Sequence, residues 1–335
     1  MKNLTRVTGL CFLLFLCILY SCKKEEVPSL TTSTITNITG TKATCGGTIT
    51  DEGSGTVLER GVVWNTESNP TLEDNKTTDG AGDGYFSSTL FGLKSGKTYY
   101  VRAYATNKAG TGYGNEINFK TAPPKINFSD WISYGNITDQ EGNIYRTVKI
   151  GEQTWMAENL KATHYQDGSA IPNVTDLDAW IIFTDGAYCF TDNDTLNKNV
   201  YGTLYNYYAV ADQRKICPAG WHVPSDAEWT VLENFLGGST VAGMKMKEVG
   251  LTHWASPNSG AGNQSGFTAL PAGSRYPSID DDFLGKGYWG VWWSSSEHYS
   301  ISECAWYRSL STFNINLERN FYWKFVGYSI RCIMD

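Results

Sequence analysis

Two adjacent prolines constrain this chain more than any other feature. Pro123 and Pro124, in KTAPPK (Lys120 to Lys125), have fixed φ and no backbone N–H. Neither a helix nor an inner strand runs through such a pair, which favours an extended spacer. The 335-residue chain must therefore fold in separate pieces on either side, and its length suits about two domains. With 34 Gly, 20 Tyr, 12 Trp and only 18% charged residues, the pieces should be strand- and loop-rich, not helical bundles.

The first residues read as a targeting segment, 1–21. Lys2 and Arg6 precede the apolar run GLCFLLFLCILY (Gly9 to Tyr20), which has signal-peptide length and is too short to span a bilayer. It ends in LYSC, which resembles the lipobox of bacterial lipoproteins. That resemblance implies that Cys22 becomes the lipid-modified first residue; an ordinary secretory signal is the alternative. The following KKEE resembles the export signal of Bacteroidetes surface lipoproteins. Residues 22–27 would then form a lipidated, charged tether. The expected partner is the outer membrane, held through acyl chains, with the protein exposed at the cell surface.

Removing residues 1–21 leaves 25 basic against 34 acidic side chains, a net charge of −9. Without a Lys/Arg cluster, such a chain is not expected to bind nucleic acid. Five cysteines remain apart from Cys22: Cys45, Cys189, Cys217, Cys304 and Cys332. Export makes disulfides the first expectation, and an odd count leaves at least one thiol free. No CxxC or His-x-x-x-His spacing suggests zinc.

Residues 28–122 show period-2 alternation in short runs. ERGVVWN puts Val62 and Trp64 on one face. KTYYVRAYATN puts Tyr99, Val101, Ala103 and Ala105 on one face and Tyr100, Arg102 and Tyr104 on the other. This spacing predicts a β-sandwich. GLKSGKTYYVRAYATNKAGTGYG resembles the end of a fibronectin type III domain, through Leu93, Tyr99, Ala105, Asn107 and Gly110. The resemblance implies that Trp64 is the core tryptophan. Cys45, with no partner nearby in sequence, reads as a small buried thiol.

Residues 123–133 read as a linker and 134–335 as a second domain. ITDQEGNIYRTVKIGEQTWMAENLK contains two turn signals between β-type runs and predicts a three-strand meander. In CPAGWHVPSDAEWTVLENFLGG, Ser225 and Glu228 have capping-box spacing. Trp229, Leu232, Phe235 and Leu236 share one helical face, and Gly237–Gly238 end the helix. Everything after it reads as strand and loop.

The ordered motifs GNIYRTVKIGEQTWMAENLK, YGTLYNYYAV, CPAGWHVPSDAEW, NQSGFTALPAGSR, YWGVWWSSSE and GYSIRC resemble the Fibrobacter succinogenes major paralogous domain. The resemblance implies a C-type-lectin-like fold. The expected fold class is mainly β: a fibronectin III-like sandwich followed by an α+β lectin-like head. It also implies a disulfide between Cys217 and Cys332; a second bridge between Cys189 and Cys304 rests only on parity. Trp221 and Trp229 would be core anchors and His222 a hydrogen-bonded structural histidine.

Catalysis is not expected. His164, His222, His253 and His298 lie outside any G-x-S-x-G or H-E-x-x-H context, and the strand-end SSSE after Trp293 matches the family motif. SPNSG and WWSSS lack the acids of a lectin calcium site. TDNDTLNKN, with Asp192 and Asp194, and SIDDDF, with Asp280, Asp281 and Asp282, offer oxygen ligands for calcium; solvated acidic loops are the alternative reading. No other cofactor is expected. The expected function is binding of a glycan or protein through the region Leu251 to Trp293. Its aromatic Trp254, Tyr276 and Trp289 would stack on sugar faces, and Asn258, Asn263, Gln264 and Arg275 would bond hydroxyls. The rival is a structural, adhesin or envelope-assembly component without a small ligand.

Overall fold

The computed structural model describes residues 25–276 and 282–335. Cys22, the signal segment, Asp280 and Asp281 lie outside the described residues. The chain is mostly β and divides into two compact units, the second made of Lys120–Asp335 with the short pieces Thr39–Thr41 and Gly92–Lys97. No described helix is long and apolar enough to cross a membrane.

The first unit is a sandwich of antiparallel strands β1 (Ser29–Thr32), β2 (Ala43–Asp51), β3 (Glu59–Asn65), β4 (Asn75–Lys76), β5 (Gly84–Leu90), β6 (Thr98–Asn107), β7 (Gly110–Tyr113) and β8 (Ile117–Lys120). One sheet has the order β1-β2-β5 and the other β4-β3-β6-β7, with β8 also pairing β6. This split is that of a fibronectin type III fold. Trp64, Tyr99, Val101, Ala103 and Ala105 are buried, as the alternation requires. Gly47 lets the sheets close: a Cβ there would meet Ala103 Cβ at 2.6 Å. Asn107 closes the β6–β7 hairpin, its Oδ1 accepting from Ala109 N at 2.8 Å and Gly110 N at 3.2 Å. The structure departs from the alternation at Tyr104. It lies on the outer face but is buried, with its hydroxyl donating to Glu59 at 2.7 Å and to the Thr77 carbonyl at 2.8 Å.

The second unit begins with the expected meander, β9 (Gly135–Thr138), β10 (Ile144–Ile150) and β11 (Gln153–Met156). Short pieces follow: α1 (Leu177–Ile182), β12 (Tyr188–Cys189), α2 (Lys198–Tyr201), β13 (Leu204–Tyr205), α3 (Tyr207–Ala211) and β14 (Trp221–His222). Then come α4 (Asp226–Phe235), α5 (Ser239–Met246), β15 (Ser274–Arg275), β16 (Phe283–Leu284), β17 (Trp289–Glu297), β18 (Cys304–Ser311), β19 (Glu318–Trp323) and β20 (Ile333–Met334). The larger sheet has the order β14-β20-β11-β10-β9, and a second has β17-β18-β19.

The helix prediction holds for α4, whose Ser225–Glu228 capping box is complete. Its face differs in one residue: Trp229, Leu232 and Leu236 are buried, whereas Phe235 is exposed. The expectation of only strand and loop beyond Gly238 is corrected by α5. Its sequence STVAGMKM has weak helical periodicity, and packing decides its state. Ala242 and Met246 are buried, and a Cβ on Gly243 would meet the Ile315 and Asn316 carbonyls.

Adjacent residues on β17 serve two cores. Trp292 packs with Trp155, Trp229 and Phe267, while Trp293 packs with Tyr205, Tyr207 and Tyr328.

Candidate functional site

The segment around the capping box is stapled to the end of the second unit. Cys217 and Cys332 form a disulfide. Next to it, β20 pairs Trp221 with Met334 and His222 with Ile333. The His222 ring lies between two carboxylates, Nδ1 at 2.6 Å from Asp335 and Nε2 at 2.9 Å from Glu228. Burial alone would depress this imidazole, but the Asp335 and Glu228 carboxylates outweigh it and its pKa is raised. His164 contacts Glu141 at 2.7 Å and His253 contacts Glu248 at 2.7 Å, while His298 Nδ1 accepts from Ile301 N. Cys189 and Cys304 are free and buried, which corrects the parity-based second bridge. Cys189 packs with Trp180 and Leu204, while Cys304 opens β18 opposite Trp323. Burial pushes the Cys189 thiol up to about 12 and the Cys45 thiol up to about 11, so both are poor nucleophiles.

Several of the ordered motifs meet inside the second unit. Asn159 of AENLK accepts at Oδ1 from Trp292 Nε1 and Arg331 Nε, both at 2.9 Å. Its Nδ2 donates to the Tyr201 carbonyl at 2.8 Å and to Ser329 Oγ at 3.2 Å. Arg331 of GYSIRC also donates to the carbonyls of Phe267 and Thr268 and stacks over the Phe267 ring. Asn159, Trp292 and Arg331 of these motifs are thus spent on the core.

Four residues expected to be an exposed ligand surface are corrected by burial. Trp254 is 1% exposed, with Nε1 donating to the Ala269 carbonyl at 2.9 Å. Asn258 bonds the Glu248 and Gly250 carbonyls, and Asn263 pairs its amide with Thr268. Arg275 is 0% exposed, donating to the Thr175 carbonyl at 2.7 Å and lying over Trp180 and Phe283. Polar loop residues here hold the loops themselves, because buried backbone carbonyls need donors. Gln264 is exposed at a different hollow, beside Trp131 and Phe235.

The described carboxylates of the two acidic loops are engaged by other protein groups. Asp192 contacts Lys286 at 2.7 Å, Asp194 Oδ1 accepts from Leu196 N, and Asp282 faces Arg275 at 3.8 Å. Among the described residues no three His, Cys, Asp or Glu side chains gather as metal ligands.

Tyr276 and Trp289 do come together. They line a cleft of about 390 Å³ with Tyr307, Tyr322 and Tyr328. Ser274, Leu284, Val291, Ser309 and Glu318 complete its lining. Strand register builds it. Val291 pairs with Ser309, which pairs with Glu318, and Tyr307 pairs with Asn320. Period-2 alternation therefore puts Trp289, Val291, Tyr307, Ser309, Glu318 and Tyr322 on one sheet face. Tyr328 is buried, while Trp289 is 37% exposed. The Tyr276 and Tyr322 hydroxyls are 2.8 Å apart. That bond, then burial, pushes the Tyr322 phenol up to about 12. Burial first, and the Glu318 carboxylate second, raise Tyr307. The Tyr307 and Tyr322 phenols thus remain protonated hydrogen-bonding groups at neutral pH. Sequence reasoning missed Tyr307, Glu318, Tyr322 and Tyr328, although the density of aromatics in CAWYRSLS and ERNFYWKFVGY carried a signal.

Solved structures similar to part of the chain include the following three. The sensor domain of the anti-sigma factor RsgI4 of Pseudobacteroides cellulosolvens is 21% identical, with a TM-score of 0.23 over 29% of this chain and 95% of its own. A fibronectin type III domain of the human KIAA0970 protein is 14% identical, with a TM-score of 0.21, over 31% of this chain and 82% of its own. The third fibronectin III domain of the human KIAA0343 protein is 17% identical, with a TM-score of 0.23, over 30% and 86%. No curated protein matches the chain. The family profile described as the Fibrobacter succinogenes major domain matches residues 148–334, more than half of the sequence, and the chain belongs to that family.

Proposed function

We propose that this protein is a surface-exposed outer-membrane lipoprotein, anchored by acyl chains on Cys22, whose C-terminal domain binds a glycan without catalysing a reaction. LYSC and KKEE support the anchor and the export. The C-type-lectin-like reading of the domain is supported by the disulfide linking the segment before α4 to Cys332, the residue that precedes β20. The observation that carries the binding reading is the cleft. Five aromatic side chains line it beside two serines and one carboxylate. Aromatic faces cover the apolar face of a pyranose, and hydroxyls and carboxylates bond its equatorial hydroxyls. The non-catalytic reading is supported by the histidines, each of which is tied into a structural contact.

The test is glycan-array binding by the purified protein, followed by Trp289→Ala and Tyr322→Ala. Retention of a glycan that both variants abolish, at unchanged melting temperature, is the expected result. A folded protein that retains no glycan overturns the binding reading and puts a scaffold or adhesin role first.

A further inference from the structure

The cleft is electrostatically one-sided. Glu318 is the one charged residue among its described lining residues. Its carboxylate accepts a single long bond from Asn314 Nδ2, at 3.3 Å. No lysine or arginine lies within ion-pair distance of it among the described residues. The neighbouring arginines serve the opposite sheet face. Arg319 and Arg308 alternate away from Glu318 along the register, and both are engaged by Asp226. Glu318 acts on the cleft side, where its charge helps raise the Tyr307 phenol.

An exposed carboxylate facing several tyrosines and a tryptophan is a receptor for a cation. The aromatic faces attract positive charge through their quadrupoles, and the carboxylate attracts it directly. The same charge repels an acidic ligand. Resting on the glycan-binding reading above, we propose that the cleft selects amino sugars whose amine is free and protonated, over N-acetylated sugars and over uronates. Trp289 and Tyr322 supply the stacking walls, and Glu318 receives the ammonium.

The experiment is calorimetric titration of the purified protein at about pH 6, where a sugar amine carries its proton. The probes are a glucosamine oligomer, its N-acetylated counterpart of equal length and an oligogalacturonate. The glucosamine oligomer should bind about five- to tenfold more tightly than the N-acetylated one, the scale of one cation–π and one exposed charge contact. The oligogalacturonate should bind most weakly. Glu318→Gln should bring the first two affinities together and strengthen the third, and Glu318→Asp should keep part of the preference. If Glu318→Gln leaves the ratios unchanged while Trp289→Ala removes binding, the amine selectivity is wrong and the glycan reading stands. If none of the three oligomers binds, the selectivity is overturned, and the array result decides the glycan reading separately. Melting temperatures of the variants exclude unfolding as the cause.

Discussion

Trp254 carries the clearest lesson about single residues. In sequence it lies in THWASPNSGAG, among small and polar residues, and reads as a loop aromatic offered to a ligand. In the structure it is buried with an occupied indole N–H. Trp254→Ala should therefore destabilise the domain by about 3–5 kcal/mol, measured by urea unfolding. His222 gives a pH-dependent counterpart. Its folded pKa is raised, so its ion pairs contribute fully below the unfolded value of about 6.5. The contribution is lost as pH rises through the higher folded value. The melting-temperature gap between wild type and His222→Gln should be widest on the acidic side of neutrality and narrow on going alkaline. A gap that widens with pH contradicts the assignment. His222 matches the hydrogen-bonded histidine that the family resemblance implied, whereas the burial of Trp254 in a loop-rich domain depends on contacts distant in sequence.

Secondary-structure elements were legible where local chemistry sufficed. The capping box, the paired glycines after α4 and the turns of the meander are short-range signals, and each appears where expected. α5 was not legible because its helicity comes from packing around Gly243 rather than from propensity. The cleft was half legible. Tyr276 and Trp289 were singled out as aromatics near polar residues, but the sheet register that gathers Tyr307, Glu318 and Tyr322 beside them is a tertiary fact. Ser225→Ala removes the side-chain acceptor of Glu228 N and should cost about 1 kcal/mol. Helix-specific hydrogen exchange would detect faster opening of the first turn of α4, with the cleft residues unaffected.

For the whole molecule, the Cys217–Cys332 disulfide closes a loop with a sequence separation of 115. Chain entropy then predicts that Cys217→Ser together with Cys332→Ser destabilises the second unit by about 4–5 kcal/mol. Calorimetry should show that unit's transition shifting down while the sandwich transition stays in place. Peptide mapping without reductant should recover one cross-linked pair and free thiols at Cys45, Cys189 and Cys304.

The position of β20 in its sheet also bears on synthesis. It lies between β14 and β11 rather than at a margin, yet it emerges after both. Until Ile333 and Met334 arrive, a growing chain presents two open strand borders with nothing to fill the gap. The meander β9–β10–β11 can pair as it emerges, but β14 joins the larger sheet only through β20. An unpaired strand border of this kind is open to pairing with other chains until β20 fills it.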